Sequence, residues 1–108
     1  MTIYFSCPYL NSTVELTEER EQHITETHPG TLPTYQNQIA ATLADPDQVR
    51  RSARDDRARL FVKWFASIRT GRYMVVVTVT DIDPMRHWIV TAYTARKLAG
   101  GEVEWSKS

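Results

Sequence analysis

The chain reads LFVKWFASIRTGRYMVVVTVTDIDPMRHWIVTAYTA over residues 60–95, and this segment carries the strongest secondary-structure signal in the protein. Three runs in it alternate apolar and polar residues with period two: Leu60–Ala66, Arg72–Thr80 and His87–Thr94. That alternation is typical of strands. The breaks at residues 67–71 and 81–86 are short enough for hairpins. We therefore predict that the three runs form an antiparallel meander.

Two shorter segments extend this predicted sheet. Gln48–Ala53 alternates in the same way, and Glu102–Trp105 reads as a short strand near the end of the chain. Alternation also places Arg50 and Arg51 on opposite faces. Nearer the start, Ile3–Tyr9 reads as a short strand or arm and Val14–Leu16 as an extended segment. The expected sheet has four to five strands.

Two helices are predicted before that sheet. Thr17 is a good N-cap, because acidic residues follow it in the first helical turn. The helix should end at His28, since Pro29 pushes the preceding residue out of helical geometry. A second helix is expected from about Pro33 to Ala44. We thus expect a single α+β domain over residues 1–108, with its core at about 14–105: two N-terminal helices packed on a four- to five-stranded antiparallel meander sheet.

Charge is divided unevenly along a chain of zero formal net charge. Residues 1–49 hold one basic and seven acidic side chains, whereas residues 50–108 hold twelve basic and six acidic ones. Such a split can create a face that attracts phosphate, although ion pairs back to the acidic half are the plainer explanation.

Composition excludes several classes of protein. Cys7 is the only cysteine, so no internal disulfide forms, and a reducing, cytoplasmic location is favoured. The opening MTIYFSCPYL has neither the basic region nor the cleavage site of a secretory signal. No apolar run approaches the roughly 20 residues of a membrane helix. We expect a soluble protein without a membrane partner.

Four segments together resemble a known superfamily. They are VELTEEREQHITETHPG at 14–30, LADPDQVRRS at 43–52, WIVTAYTARK at 88–97 and GGEVEW at 100–105. In order and spacing, the HPG after a helical HI, the DPD before a strand, the serine after two arginines and the late TAY resemble the phage-associated group of the barnase–EndoU–colicin–RelE-like nucleases.

The resemblance implies helices packed on an antiparallel sheet and cleavage of RNA without a metal ion or cofactor. It also implies a toxin-like or phage-conflict setting, with RNA as partner and an inhibitor or antitoxin protein as a possible second one. Functional residues in that superfamily tend to lie on the first helix and on the exposed sheet face. The corresponding positions here are His23 or His28, Arg50, Arg51, Ser52, Thr91 and Tyr93.

The histidines suit the chemistry of RNA cleavage. A 2′-hydroxyl can attack its own phosphate if a base takes its proton and an acid protonates the leaving oxygen. His28 suits either role, because a histidine titrates near neutral pH. The alternative is that His28 only caps the helix by bonding a carbonyl of its last turn. His23, one turn earlier, is better explained as packing or hydrogen-bonding between helix and sheet, with a catalytic role as the alternative.

The remaining candidates are ligands for phosphate or bases. One of Arg50 and Arg51 is expected to clamp a phosphate, with a surface ion pair as the alternative. Ser52, Thr91 and Tyr93 offer hydroxyls, and Tyr93 also offers a ring for stacking. Each of these three is also explained as an ordinary strand residue. Lys63, between two phenylalanines on one face, suits a nucleic-acid platform or a lysine lying over an apolar patch.

No metal site is predicted. His23 and His28 are five residues apart, whereas two zinc ligands on one helix usually take a spacing of four. Two other functions are left open by the sequence. One is a module of the same fold that binds RNA or an acidic protein without cutting, and the other is a homodimer formed through an exposed sheet edge.

Overall fold

The computed structural model describes all 108 residues of the chain, from Met1 to Ser108. It contains one seven-stranded sheet and two α-helices. The strands are β1 (Ile3–Cys7), β2 (Ser12–Leu16), β3 (Gln48–Arg51), β4 (Ala58–Phe65), β5 (Arg72–Ile82), β6 (Met85–Ala95) and β7 (Glu102–Ser106). The helices are α1 (Glu18–Thr27) and α2 (Gln36–Ala44), and a short 3-10 turn (Pro8–Leu10) follows β1. Neither helix is long and apolar enough to cross a membrane.

The strands lie in the order β1-β2-β6-β5-β4-β3-β7. From β3 to β6 the chain runs up and down as successive antiparallel neighbours. β7 then pairs antiparallel with β3 at the far edge. β2 and β6 are parallel and are joined only at Glu15 and Trp88. The sheet is therefore mixed, with β1 and β7 as its two edges.

The predicted fold is wrong in strand number, in sheet type and in the order of elements. Two strands precede the helices, because Ser12–Leu16 turns back on Ile3–Cys7 as a hairpin. Asn11 makes the reversal possible by adopting the left-handed conformation, with φ of 53°. The parallel pairing of β2 with β6 joins segments that are far apart in sequence. A local period of two therefore does not predict this pairing or its direction.

Helix α1 begins where the sequence predicts, and polar side chains help to attach it to the sheet. The Thr17 hydroxyl accepts a hydrogen bond from the Arg20 backbone N–H at 3.2 Å, which confirms the predicted N-cap. The helix follows β2 and runs beside β6. There the Arg20 guanidinium donates two hydrogen bonds to the Val90 carbonyl, at 3.0 and 2.7 Å. Ile24 is the only residue of α1 that is buried in the core. The hydrogen bonds from Arg20 to β6 therefore supplement a small apolar contact between helix and sheet.

The two faces of the sheet differ in what covers them. On one face Val49, Phe61, Val76 and Ala92 are cross-strand neighbours, and all four are buried with the helix residues Ile24, Ile39 and Leu43. We call this the helix face. The opposite face, which we call the open face, carries Arg50, Leu60, Val77 and Thr91 in one row across β3, β4, β5 and β6.

Candidate functional site

A short segment crosses the open face. β6 and β7 are separated in the sheet by β5, β4 and β3, so residues 96–101, which we call the strap, span these three strands. Leu98 and Ala99 of the strap enclose a cavity of about 70 Å³ with Val62 and Val75. This cover explains why both valines are buried on a face without a helix.

Arg50 fixes the strap to the sheet. Its Nη1 donates a hydrogen bond to the Gly100 carbonyl at 2.9 Å, and its Nε donates to Gln48 Oε1 at 2.8 Å. No carboxylate lies within ion-pair distance of Arg50. The guanidinium therefore keeps donors on Nη2 for a further acceptor.

Beside the strap lies a concave groove of about 450 Å³. Its floor includes Leu60, Val77 and Tyr93, and its rim includes Ser52 and Arg54. The strap residues 99–101 form one wall, and no acidic side chain lines the groove. The groove is thus an apolar floor with a positively charged rim.

His28 meets this face at Tyr93. The residue follows the last residue of α1, and its backbone N–H donates to the Ile24 carbonyl at 2.7 Å. Its imidazole lies against the Tyr93 ring, with centroids 5.2 Å apart and planes inclined at 30°. Burial raises the pKa of the Tyr93 hydroxyl, so this group is protonated at neutral pH and can donate a hydrogen bond.

Ser52 and Thr91 also reach the open face. The Ser52 hydroxyl accepts a hydrogen bond from the Arg54 backbone N–H at 3.2 Å, and the residue lines the groove. Thr91 pairs with Val77 across the strands, and its buried hydroxyl has no hydrogen-bond partner. The structure thus places Arg50, Ser52, Thr91 and Tyr93 on one face, with His28 against Tyr93.

Arg51 and Lys63 lie on the other face. Arg51 Nε donates to Glu104 Oε1 at 3.0 Å, its Nη2 lies 2.9 Å from the same oxygen, and its Nη1 donates to the Asp56 carbonyl. Lys63 Nζ lies 2.8 Å from the Asp45 carbonyl and 3.2 Å from its carboxylate. Both side chains are held by groups of the protein and are separated from the groove by the sheet.

His23 is not brought to the groove. It is half-buried on α1, it lines neither the cavity nor the groove, and its ring packs on no aromatic residue. On a helix its direction differs from that of a residue five positions later by roughly 140°. Of the two histidines that the sequence left open, His28 is the one beside the open-face residues.

A charged cluster on the helix face was missed by the sequence reasoning. Glu104 accepts hydrogen bonds from the Tyr9 hydroxyl at 2.5 Å and from Arg59 Nε at 3.0 Å, in addition to those from Arg51. Burial alone would raise the pKa of Glu104, but the hydrogen bonds from Tyr9 and the arginines outweigh it and lower this pKa. Burial and the Glu104 carboxylate raise the pKa of Tyr9 to about 12.

This cluster holds distant parts of the chain together. Tyr9 also packs edge-on against Phe61, at 5.8 Å between centroids, and against Trp105 at 5.7 Å. The contacts join the 3-10 turn to β4 and β7. Because 95 positions separate Tyr9 from Glu104, no local pattern in the sequence signals the pairing.

Ion pairs remove much of the basic excess of the second half. Arg51, Arg57, Arg59, Lys63, Arg86 and Lys107 each lie within 4 Å of a carboxylate. Six basic side chains of that half have no such partner: Arg50, Arg54, Arg69, Arg72, Arg96 and Lys97. They lie at the groove, in the strap and around the β4–β5 hairpin, so the unpaired positive charge is concentrated there.

The chain matches no protein-family model, no curated protein and no solved structure in the comparisons made with known proteins. The nuclease resemblance therefore stays a prediction, and the function is argued from the site alone.

Proposed function

We propose that the protein binds RNA on the open face and cleaves it by attack of the RNA's own 2′-hydroxyl, without a metal ion. One observation carries the proposal. The imidazole of His28 lies against Tyr93, which is part of a groove with a positive rim and no acidic lining residue. A titratable base beside an anion-attracting groove is the arrangement that this reaction needs.

Binding begins with the phosphates. Neither Arg54 at the rim nor Arg50 has a carboxylate partner in the protein, and Nη2 of Arg50 makes no hydrogen bond. A phosphate can supply the negative charge that both guanidinium groups lack. A guanidinium offers planar paired donors that match phosphate oxygens. Because no carboxylate lines the groove, the local potential favours a polyanion.

The chemical step uses His28 as the base. The imidazole takes the 2′-hydroxyl proton while the bond from O2′ to phosphorus forms and the bond from phosphorus to O5′ breaks. Water protonates the leaving oxygen, and the products carry a 2′,3′-cyclic phosphate and a 5′-hydroxyl. The protonated Tyr93 hydroxyl and Arg50 donate hydrogen bonds to the phosphate oxygens, which stabilises the charge that develops on them.

A cleavage assay on paired histidine variants tests the proposal. Purified protein is incubated with a mixed RNA pool in EDTA, beside His28→Ala and the matched control His23→Ala from the same helix. We expect wild type and His23→Ala to cut, and His28→Ala to lose about 100-fold or more of the rate. Equal rates for His28→Ala and wild type would refute the role of His28.

A second function rests on a different observation. His28 is the only histidine that meets the open face, because His87 lies on the helix face with its Nδ1 2.7 Å from the Thr80 hydroxyl. Burial, together with the charge of Arg59, lowers the pKa of His87. Because only one histidine lies beside the groove, no second imidazole is there to act as the acid, and this also suits a module that holds RNA without cutting it. Salt-sensitive binding with no cleavage product in the same assay would favour that function.

A further inference from the structure

An aromatic pair on the open face has no part in the site described above. Trp64 and Tyr73 are direct cross-strand neighbours on β4 and β5, and their rings meet edge-on with centroids 4.9 Å apart. Trp64 is 45 % exposed, so much of its indole meets solvent. The pair lies in the row of Ala95, two positions along β6 from Tyr93.

The indole is held in place by its surroundings. Gly71 has φ of +110°, and a Cβ on it would lie 2.5 Å from Cζ2 of the Trp64 ring. The indole therefore rests directly on the Gly71 backbone. The Trp64 backbone N–H donates to Asp47 Oδ2 at 2.8 Å. Fixed exposed aromatic rings make a surface on which flat molecules can stack with little loss of entropy.

The charges around the pair select the kind of partner. Arg69 belongs to the hairpin that joins the two aromatic strands, and Arg96 and Lys97 follow Ala95 in the strap. None of these three has a carboxylate partner. Stacking rings bordered by free cations suit a polyanion with exposed aromatic groups, which is the chemistry of single-stranded nucleic acid.

We propose that Trp64 and Tyr73 form a base-stacking subsite, and that the RNA taken by this protein is single-stranded. This inference rests on the proposed RNA-binding function. An unpaired base stacks on Trp64, and the strand continues past the strap cations toward Tyr93, which is about 7 Å farther along β6. Bases within a duplex have no free face to offer, so a duplex gains nothing from the pair.

The test measures binding without cleavage. A labelled 2′-O-methyl oligoribonucleotide lacks the attacking hydroxyl, and its anisotropy is followed with wild type, Trp64→Leu, Tyr73→Leu and Trp105→Leu. Trp105 is the matched control, since it is 38 % exposed but lies beside Tyr9 on the helix face. We expect Trp64→Leu to weaken single-strand binding about tenfold and Trp105→Leu to leave it unchanged. Duplex binding should be equal in all four proteins.

Several results separate this proposal from the one before it. If wild type binds RNA and both Trp64→Leu and Tyr73→Leu bind it equally well, the subsite is disproved and the RNA-binding function stands. If wild type binds no RNA at any salt concentration, both fail together. A poly-glutamate peptide that competes as well as RNA, and does so through Trp64, would show an acidic protein partner instead.

A fluorescence measurement tests the stacking independently. Quenching of wild-type tryptophan emission by the oligonucleotide, absent in a folded Trp64→Phe variant, would support stacking on Trp64.

Discussion

The imidazole of His28 and the ring of Tyr93 lie 5.2 Å apart, centroid to centroid. One residue follows the end of α1 and the other lies near the end of β6 on the open face. The contact exists because β2 leaves β6 after a single residue pair, which lets α1 run along the remaining edge of β6. The fold therefore brings a helix-end histidine to a sheet face that no helix covers.

Tyr93→Phe tests the hydroxyl of that pair. The change keeps the ring against His28 and removes only the hydrogen bond offered to phosphate. We expect RNA cleavage to fall by about 10- to 100-fold, with RNA affinity within about twofold of wild type. Tyr73→Phe, on the same face, retains its stacking ring and should cleave at the wild-type rate. Equal cleavage by Tyr93→Phe and wild type would exclude a role for the hydroxyl.

Arg50 and Arg51 are adjacent in sequence but should have separate effects. Arg50→Ala should weaken RNA binding and lower the slope of log affinity against log salt by about one, because one phosphate contact is lost. Arg51→Ala should leave binding unchanged and cost roughly 0.5–1 kcal/mol of stability, since its ion pair with Glu104 is partly exposed. Salt-dependent anisotropy and denaturant unfolding of both variants check this. The reverse pattern would place the RNA on the helix face.

Glu104→Gln should reduce stability most at neutral pH. The folded state lowers the Glu104 pKa, so its stabilising contribution is complete above the ordinary glutamate pKa of about 4.3 and is lost as the pH falls through the lowered value. The difference in free energy of unfolding between variant and wild type should therefore shrink below about pH 4. Glu102→Gln, exposed in the same strand and without a bonded partner, is the control and should show no such trend. A difference that stays constant down to pH 3 would rule out this linkage.

Gly101→Ala tests how the strap joins β7. Gly101 has φ of +72°, and a Cβ on it would lie 2.5 Å from the Arg51 carbonyl oxygen. Gly100 has φ of +81°, but a Cβ on it would meet nothing within 4 Å. Both substitutions incur the conformational cost of about 1 kcal/mol, and only Gly101→Ala adds the clash. Thermal unfolding should rank Gly101→Ala clearly below Gly100→Ala, and equal midpoints would contradict this geometry.

Part of the fold is readable from local pattern. Alternation separates Arg50 and Ser52 from Val49 and Arg51, and the structure keeps that division. The order of the strands in the sheet cannot be read in this way, because it depends on contacts between segments that are distant in sequence. The five-residue strand Ser12–Leu16 reads as a fragment until its pairing with Ile3–Cys7 is known. β7 could be placed beside β3 only by knowing that the strap crosses the sheet.

The site divides in the same way. A period of two predicts that Thr91 and Tyr93 share a face, yet it does not say which face the helices cover. Because the helices cover the face that carries Lys63, this side chain pairs with Asp45 and is absent from the open face. The Glu104 cluster depends on contacts across 95 positions, for which local sequence has no signal. The chemistry of the side chains thus identifies candidate site residues, and the tertiary packing decides which of them lie together on the open face.

Cleavage chemistry on a matched pair of substrates tests the central claim most directly. One oligoribonucleotide and its fully 2′-O-methylated counterpart are incubated with wild-type protein in EDTA, and the product ends are identified by mass spectrometry. Our account predicts cutting of the first substrate alone, with 2′,3′-cyclic phosphate and 5′-hydroxyl ends. Cutting of both substrates would contradict attack by the 2′-hydroxyl, and an intact first substrate would contradict the ribonuclease proposal.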